Sequence, residues 1–204
     1  MSSHQFISGY YDRLIEKYGI NSIQSIGWTS GKQEIRFHEL INYFQFKEYF
    51  TLLDLGCGRG DLFNYLNDMR SINTFEYLGC DVNLNFIEYA IKRFDNIDTC
   101  NFMHSQDDFP TNLEENSYDF CVASGLLSSG FVTKDYRDNL LVSLYRVCSK
   151  AMAFNLLTKD VDYEEEKYFY SEISDIIRLF EPISTKIIIS KNKYLYEKTI
   201  TIIK

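Results

Sequence analysis

The chain has 204 residues, 45% of them hydrophobic and 25% charged, and a net charge of −8. That length and balance exclude a disordered, fibrous or collagen-like chain and suffice for one domain whose core needs neither disulfide nor metal. No stretch approaches ~18 uninterrupted apolar residues, so no membrane span is expected, and the anionic balance argues weakly against nucleic acid as the main partner.

Met1-Ser2-Ser3-His4-Gln5 lacks the basic and apolar regions of a secretory signal. The five cysteines (57, 80, 100, 121 and 148) are widely spaced, form no CxxC pair and do not cluster with the histidines at 4, 38 and 104. No metal site or disulfide framework is expected, and reduced cytoplasm is the natural compartment. Cys80, Cys100 and Cys121 sit in or beside apolar runs and read as core. There are no internal repeats and no Gly/Ser/Pro linker, so residues 1–204 read as a single domain. Residues 1–50 form an N-terminal helical segment and 51–204 a sheet core.

In chain order, Phe6, Tyr10, Leu14 and Tyr18 fall four apart, with Ile7, Tyr11 and Ile15 beside them. This is one apolar helix face, and Gly19 suits its C-terminal cap. Ser30 with Gln33 reads as a capping box that opens a helix carrying Ile35, Phe37, Leu40, Ile41 and Phe44. Thr51-Leu52-Leu53-Asp54-Leu55 is then a first strand. It runs into Gly56-Cys57-Gly58-Arg59-Gly60 and a helix with Leu62, Phe63 and Leu66. Tyr77-Leu78-Gly79-Cys80 is a second strand ending at Asp81, and Asn83 caps the helix of Phe86, Ile87, Ala90, Ile91 and Phe94. Further strands are expected at Cys100–His104, Tyr118–Ala123 and Ala151–Leu157, with a helix opened by Thr133 between the last two. Ser171 is expected to open a helix that stops at Pro182. Thr185–Ser190 and Tyr194–Ile203, separated by Lys191-Asn192-Lys193, suggest an antiparallel hairpin. Short, continuously apolar strands alternating with helices argue an α/β fold, a parallel sheet covered on both faces and made mixed by the closing hairpin.

The strongest chemical signal is Asp54-Leu55-Gly56-Cys57-Gly58-Arg59-Gly60-Asp61, where three of the ten glycines fall within five residues at a strand-to-helix turn. Glycine there lets a ligand approach the backbone, and the helix start offers free amides to an anionic group. The spacing is G-x-G-x-G, not the dinucleotide G-x-G-x-x-G, and an acid at 61 would be unwelcome to a pyrophosphate. A nucleoside carrying a carboxylate fits better, with Asp54 placed to reach an ammonium group. Asp81 lies 21 residues beyond Gly60, at a strand end where a carboxylate accepts hydrogen bonds from ribose hydroxyls.

At these residues the chain resembles the class I S-adenosylmethionine-dependent methyltransferases. The likeness covers roughly residues 50–160, and Gly27-Trp28 followed by Gln33, Arg36 and Phe37 resembles a small group of bacterial methyltransferase-domain proteins. The resemblance implies a Rossmann-like, doubly wound seven-stranded mixed sheet in the order 3-2-1-4-5-7-6, strand seven antiparallel, with the N-terminal helices as a cap. It implies S-adenosylmethionine as cofactor and S-adenosylhomocysteine as product. Asp54, Gly56, Cys57 and Gly58 would line the methionine part, Asp81 would hold the ribose, and Val82 would pack on the adenine. Gln106 or Asp107 would contact the adenine amine, and Ser124 and Gly125 would add backbone beside the methionine. No Asn-Pro-Pro-Tyr follows the fourth strand and no Pro-Cys nucleophile is present. Base- and amide-nitrogen or cytosine-carbon methylation is therefore not indicated.

Arg36 reads either as a solvated helix charge or as a charge-assisted donor to the cofactor carboxylate. Trp28 reads as core or as part of the ligand wall. His38, Tyr168 and Tyr170 are the candidates for chemistry, with Tyr163 as a further pocket residue. The expected function is methyl transfer by in-line displacement to a small-molecule acceptor. The competing readings are a nicotinamide-dependent oxidoreductase, a non-catalytic cofactor-binding protein, and aminopropyl transfer from a decarboxylated cofactor. The negative charge is local: Asp107 and Asp108 lie in one base-free stretch, and Asp160, Asp162, Glu164, Glu165 and Glu166 in another. Both stretches are expected at the ligand end of the sheet, where they would either be solvated or favour an amine-bearing acceptor.

Overall fold

The computed structural model describes residues 3–28, 31–46, 49–69, 74–105 and 113–204. In chain order the elements are α1 (Ser3–Tyr18), a 3-10 turn (Ile23–Ile26), α2 (Gln33–Ile41), β1 (Tyr49–Leu55), α3 (Asp61–Asn67), β2 (Thr74–Asp81), α4 (Leu84–Arg93), β3 (Cys100–His104) and β4 (Tyr118–Ala123). There follow α5 (Lys134–Val147), β5 (Cys148–Leu156), α6 (Ile173–Phe180), β6 (Lys186–Lys191) and β7 (Lys198–Ile203). The strands form one sheet in the order β3-β2-β1-β4-β5-β7-β6. β7 runs antiparallel to both β5 and β6, and the other pairings are parallel. The expected order and the reversed seventh strand are what the molecule has.

Alternation along the strands builds two cores. Leu52, Val122, Ala151 and Ala153 face one side, against Phe37 and Leu40 of α2 and Leu62, Phe63 and Leu66 of α3. Leu53, Cys121, Ala123, Met152 and Phe154 face the other, against Leu140 and Leu144 of α5 and Ile176 and Phe180 of α6. Both faces of the sheet are thus withdrawn from water, which is why its strands carry few polar residues. All five cysteines are free and buried.

Local chemistry sets several boundaries. Gly19, at φ +78°, closes α1 with its N–H donating to the Ile15 carbonyl at 2.8 Å. Asn83 Oδ1 accepts the Phe86 N–H at 3.0 Å to start α4, and Thr133 Oγ1 accepts the Tyr136 N–H at 3.2 Å to start α5. Of two further expected caps, one lies outside the described residues and one fails. Lys32 occupies the cap of α2 without a side-chain bond, and Ser30 lies outside the described residues. Glu172, not Ser171, precedes α6, because Ser171 is spent in a β-bridge to Thr158. β5 begins earlier than expected, at Cys148. β7 begins later, at Lys198, which leaves Tyr194–Glu197 in the connection after β6.

The N-terminal segment is stitched to the sheet beside the glycine turn. Arg59 Nη1 donates to the carbonyls of Ile20 and Ser22 at 2.8 and 3.0 Å. Asn83 Nδ2 donates to Asp12 Oδ1 at 2.7 Å, and the Tyr11 ring packs edge-on against Phe86. Among the described residues no helix is long and apolar enough to cross a membrane.

Candidate functional site

The carboxyl ends of β1 and β2 lie side by side, with Asp54 opposite Gly79 and Leu55 opposite Cys80. The chain then turns sharply. The N–H groups of Gly56 and Cys57 both donate to the Cys80 carbonyl, at 2.8 and 3.0 Å. The Gly58 N–H donates to Asp81 Oδ2 at 2.8 Å, and the Asn83 N–H donates to Asp81 Oδ1 at the same distance. Asp81 therefore belongs to the frame of the turn, and each of its oxygens keeps accepting capacity for a further donor. Burial pushes its carboxyl up, against the pull of those backbone donors.

Gly60 serves packing, not ligand approach. It sits at φ +73°, and a Cβ there would lie 2.7 Å from Phe102 and 2.8 Å from Phe94. Asp61 is not a bare acid at the loop: Arg59 Nη2 reaches it at 2.8 Å and Arg93 Nη1 at 2.5 Å. Burial works against its ionisation, but the two arginines outweigh this and hold its carboxyl below the usual range. The sequence argument that an acid at 61 repels a pyrophosphate is corrected accordingly, since that charge is already matched.

Asp54 is the most informative residue. It is only 2% exposed and borders the cleft. Its Oδ2 accepts the Tyr77 hydroxyl at 2.6 Å, while Oδ1 has no partner among the described residues. Burial lifts its carboxyl to about 7; the Tyr77 bond opposes the rise, and the nearby Asp81 and Asp61 add to it. A buried carboxylate oxygen left open is costly unless a donor arrives. An ammonium group is the donor that would suit it.

Beside the turn, at the end of the neighbouring strand β4, stand Ser124 and Gly125, where the Gly125 N–H donates to Asn155 Oδ1 at 2.8 Å. Arg36 lies over this point. Its guanidinium stacks on the Trp28 ring at 3.9 Å and is clamped by Glu197, with Nη2 to Oε2 at 2.7 Å and Nε to Oε1. Arg36 is thus not a solvated helix charge, and Trp28 belongs to the cleft wall.

The cleft is large, about 1570 Å³, and takes in Gly56, Cys57, Gly58, Asp81, Val82, Ser124 and Gly125. The Cys57 side chain turns toward Gly79, where a Cβ would lie 2.9 Å from its sulfur, and burial drives that thiol well up. Any contribution of Cys57 to a ligand is therefore through the backbone. On the far side a strap spans residues 159–170. Its ends are pinned by the Thr158–Ser171 bridge and its C-terminal part by the Ser129–Tyr168 bridge. The strap brings Tyr163, Tyr168 and Tyr170 to the cleft. Its acids are partly matched: Asp160 pairs with Lys198 at 2.8 Å and Glu165 with Lys167 at 2.6 Å, whereas Asp162 and Glu166 border the cleft without an ion pair among the described residues. His38 is exposed and lies outside the cleft. Gln106, Asp107 and Asp108 lie outside the described residues. Among the described residues no group of three or more His, Cys, Asp or Glu is arranged to hold a metal.

Sequence reasoning missed Glu197, which sat inside an expected strand, and missed the place of Tyr11 and Leu14 on the cleft wall, since they read only as an apolar helix stripe.

Residues 52–151 match the family model described as "Methyltransferase domain". The Mycobacterium tuberculosis protein named "Putative methyltransferase Rv1506c" is 27% identical over 161 residues, covering 75% of this chain and 92% of its own length. Among solved structures, a SAM-dependent methyltransferase from Aquifex aeolicus aligns with a TM-score of 0.63 at 17% identity, over 86% of this chain and 93% of that one. Magnesium protoporphyrin IX methyltransferase from Synechocystis with bound SAH aligns with a TM-score of 0.70 at 12% identity, over the whole of both chains. Phosphoethanolamine N-methyltransferase 2 of Haemonchus contortus, solved with phosphomonomethylethanolamine and S-adenosylhomocysteine, gives 0.74 at 13% identity, over all of this chain and 60% of that one. At these identities the structural likeness is one of fold.

Proposed function

We propose, from the premise that this chain belongs to the class I S-adenosylmethionine-dependent methyltransferase family, that it methylates a small-molecule acceptor and leaves S-adenosylhomocysteine. The observation that carries the reading is the open, buried oxygen of Asp54 beside the glycine turn. It matches an ammonium group held next to a nucleoside.

The residues divide the work. Asp54 takes the ammonium, while the backbone of Gly56, Cys57 and Gly58 lines the methionine part. Asp81 accepts from the ribose hydroxyls with the lone pairs that the turn leaves it, and Val82 covers the adenine. Ser124 and Gly125 close the other side of the methionine, with Arg36 at its carboxylate and Trp28 behind the guanidinium. The cofactor supplies an already activated methyl carbon, so the protein's task is alignment of the acceptor on the line to the sulfur. A base is needed only where the acceptor must lose a proton, and Tyr168 and Tyr170 are the side chains on the strap for contact with that group. Asp162 and Glu166 on the rim, with the tyrosine faces beside them, support an acceptor that bears an amine. Five buried free thiols support a reducing cytoplasm.

Thermal unfolding tests the cofactor. A ligand at 100 times its Kd stabilises by about 2.7 kcal/mol. S-adenosylhomocysteine is expected to raise Tm, and NAD to leave it unchanged. Protection by NAD alone would replace this reading with the oxidoreductase. Binding without transfer to any acceptor in a broad amine and hydroxyl screen would reduce it to a cofactor-binding protein.

A further inference from the structure

We infer that Glu197 is a positioning residue: it holds Arg36 with one edge free for the carboxylate of the cofactor's amino-acid tail, and so makes the site selective for cofactors that keep that carboxylate. This rests on the cofactor reading above and goes beyond it.

Three contacts fix the guanidinium. Trp28 sets its plane, with the Arg36 Cζ 3.9 Å from the ring centre. Glu197 takes the side edge through Nε and Nη2, the second at 2.7 Å. Gly125 sets its depth: a Cβ at this residue, which has φ +74°, would lie only 2.6 Å from Arg36 Nη1. The plane and the rotation within the plane are therefore both determined. What remains is the end-on edge formed by Nη1 and the outer hydrogen of Nη2, a fork that matches a second carboxylate. That edge lies at Gly125, in the loop after β4 that adjoins the glycine turn and the end of β1 carrying Asp54, where a tail carrying both an ammonium and a carboxylate would reach.

The pair is well withdrawn from water, with side chains 13% and 8% exposed. The other buried cation on the cleft wall, Arg59, is committed to Asp61 and to the carbonyls of Ile20 and Ser22. The lysines of the strap that border the cleft, Lys159 and Lys167, pair with Glu172 and Glu165. Lys32, over the Tyr196 ring, and Lys191 also border the cleft, but Arg36 is the cation that stands at Gly125 with a free edge. An aminopropyl donor, which lacks the carboxylate, would leave its free edge facing a desolvated tail with nothing to accept from it.

Glu197 also carries a charge of the same sign as the tail. Its repulsion opposes binding, while its hold on Arg36 favours it. The inference is that orientation wins, and the sign of one measurement decides. Calorimetry on the full chain compares S-adenosylhomocysteine with methylthioadenosine, which lacks the amino-acid tail. Wild-type protein should prefer S-adenosylhomocysteine. Glu197→Gln should weaken that ligand by about ten-fold and move methylthioadenosine less than about two-fold. Glu197→Asp keeps the charge and withdraws it by one methylene, so it should also weaken S-adenosylhomocysteine selectively and covers the case in which the Gln variant does not fold. In an Arg36→Met background neither change should matter further. Unchanged or tighter binding of S-adenosylhomocysteine in both Glu197 variants would overturn the inference, as would equal weakening of both ligands. Wild-type protein that binds methylthioadenosine normally but shows no preference for S-adenosylhomocysteine would overturn it together with the Asp54–ammonium contact, while leaving the nucleoside contact of Asp81 standing. Loss of the preference in the Glu197 variants alone is the result that separates the two. Protein that binds neither ligand overturns the inference and the cofactor reading alike.

Discussion

The glycine turn and the strap face each other across one cleft and are built in opposite ways. The turn is held at nearly every residue, by Gly56, Cys57 and Gly58 amides donating into the end of β2 and by rings packed against Gly60. The strap is held mainly at its ends and along residues 167–169, where Lys167 and Phe169 share backbone bonds with Gly130 and Ser128. Its tip carries Tyr163, 77% exposed. In the proposed function, recognition of the nucleoside would rest on backbone geometry that tolerates little change, and the acceptor would meet side chains that can be exchanged without disturbing a ladder.

That contrast can be broken from the turn side first. Gly60→Ala adds a Cβ at φ +73° into Phe102 and Phe94, and the combined backbone and overpacking cost is expected to be about 3 kcal/mol. Denaturant unfolding reads it directly, and a loss under 1 kcal/mol would mean that the turn is softer than its packing indicates. Asp81→Ala should next weaken S-adenosylhomocysteine by ten-fold or more, on the order of 1–3 kcal/mol. Unchanged affinity by calorimetry would sink the ribose assignment.

The third effect is one of pH. Burial holds the Asp54 carboxyl near 7. Above that pH it is ionised and can pair with an ammonium; below it a proton must first be lost. Affinity for S-adenosylhomocysteine should therefore fall as pH drops from about 8 to 5, by at most about ten-fold per unit below 7. Methylthioadenosine, which has no ammonium, should lack that slope. The same ionisation costs the ligand-free fold stability as pH rises from the ordinary carboxylate range through 7, because the folded state binds the proton more tightly than the unfolded chain does. The smallest effect is expected at the strap tip: Tyr163→Ala should change stability by less than about 0.5 kcal/mol and leave the S-adenosylhomocysteine Kd within two-fold. A larger change would show that the strap helps to hold the nucleoside and would erase the contrast.

How far the sequence could be read follows the same divide. β3 at Cys100–His104 and β4 at Tyr118–Ala123 agree to the residue, because short apolar runs bounded by polar turns leave little choice. That Asp54, Gly56, Gly58 and Asp81 come together at one turn of the cleft was legible because one local stretch and one strand end hold them all. Glu197 was not, because its partner Arg36 lies 161 residues away and a single acid in an apolar run carries no period. Ser171 misled for a related reason: its hydroxyl suits a cap, but its backbone is needed by Thr158 and Leu157. Pairings between distant segments decide such residues, and hydrophobic pattern is blind to them.

Arg59, between Gly58 and Gly60, ties the loop to the carbonyls of Ile20 and Ser22. The N-terminal segment is therefore not an interchangeable cassette laid over a self-sufficient core. To graft a different cap onto this sheet, an engineer would have to supply two carbonyl acceptors at the same place or retire the arginine as well.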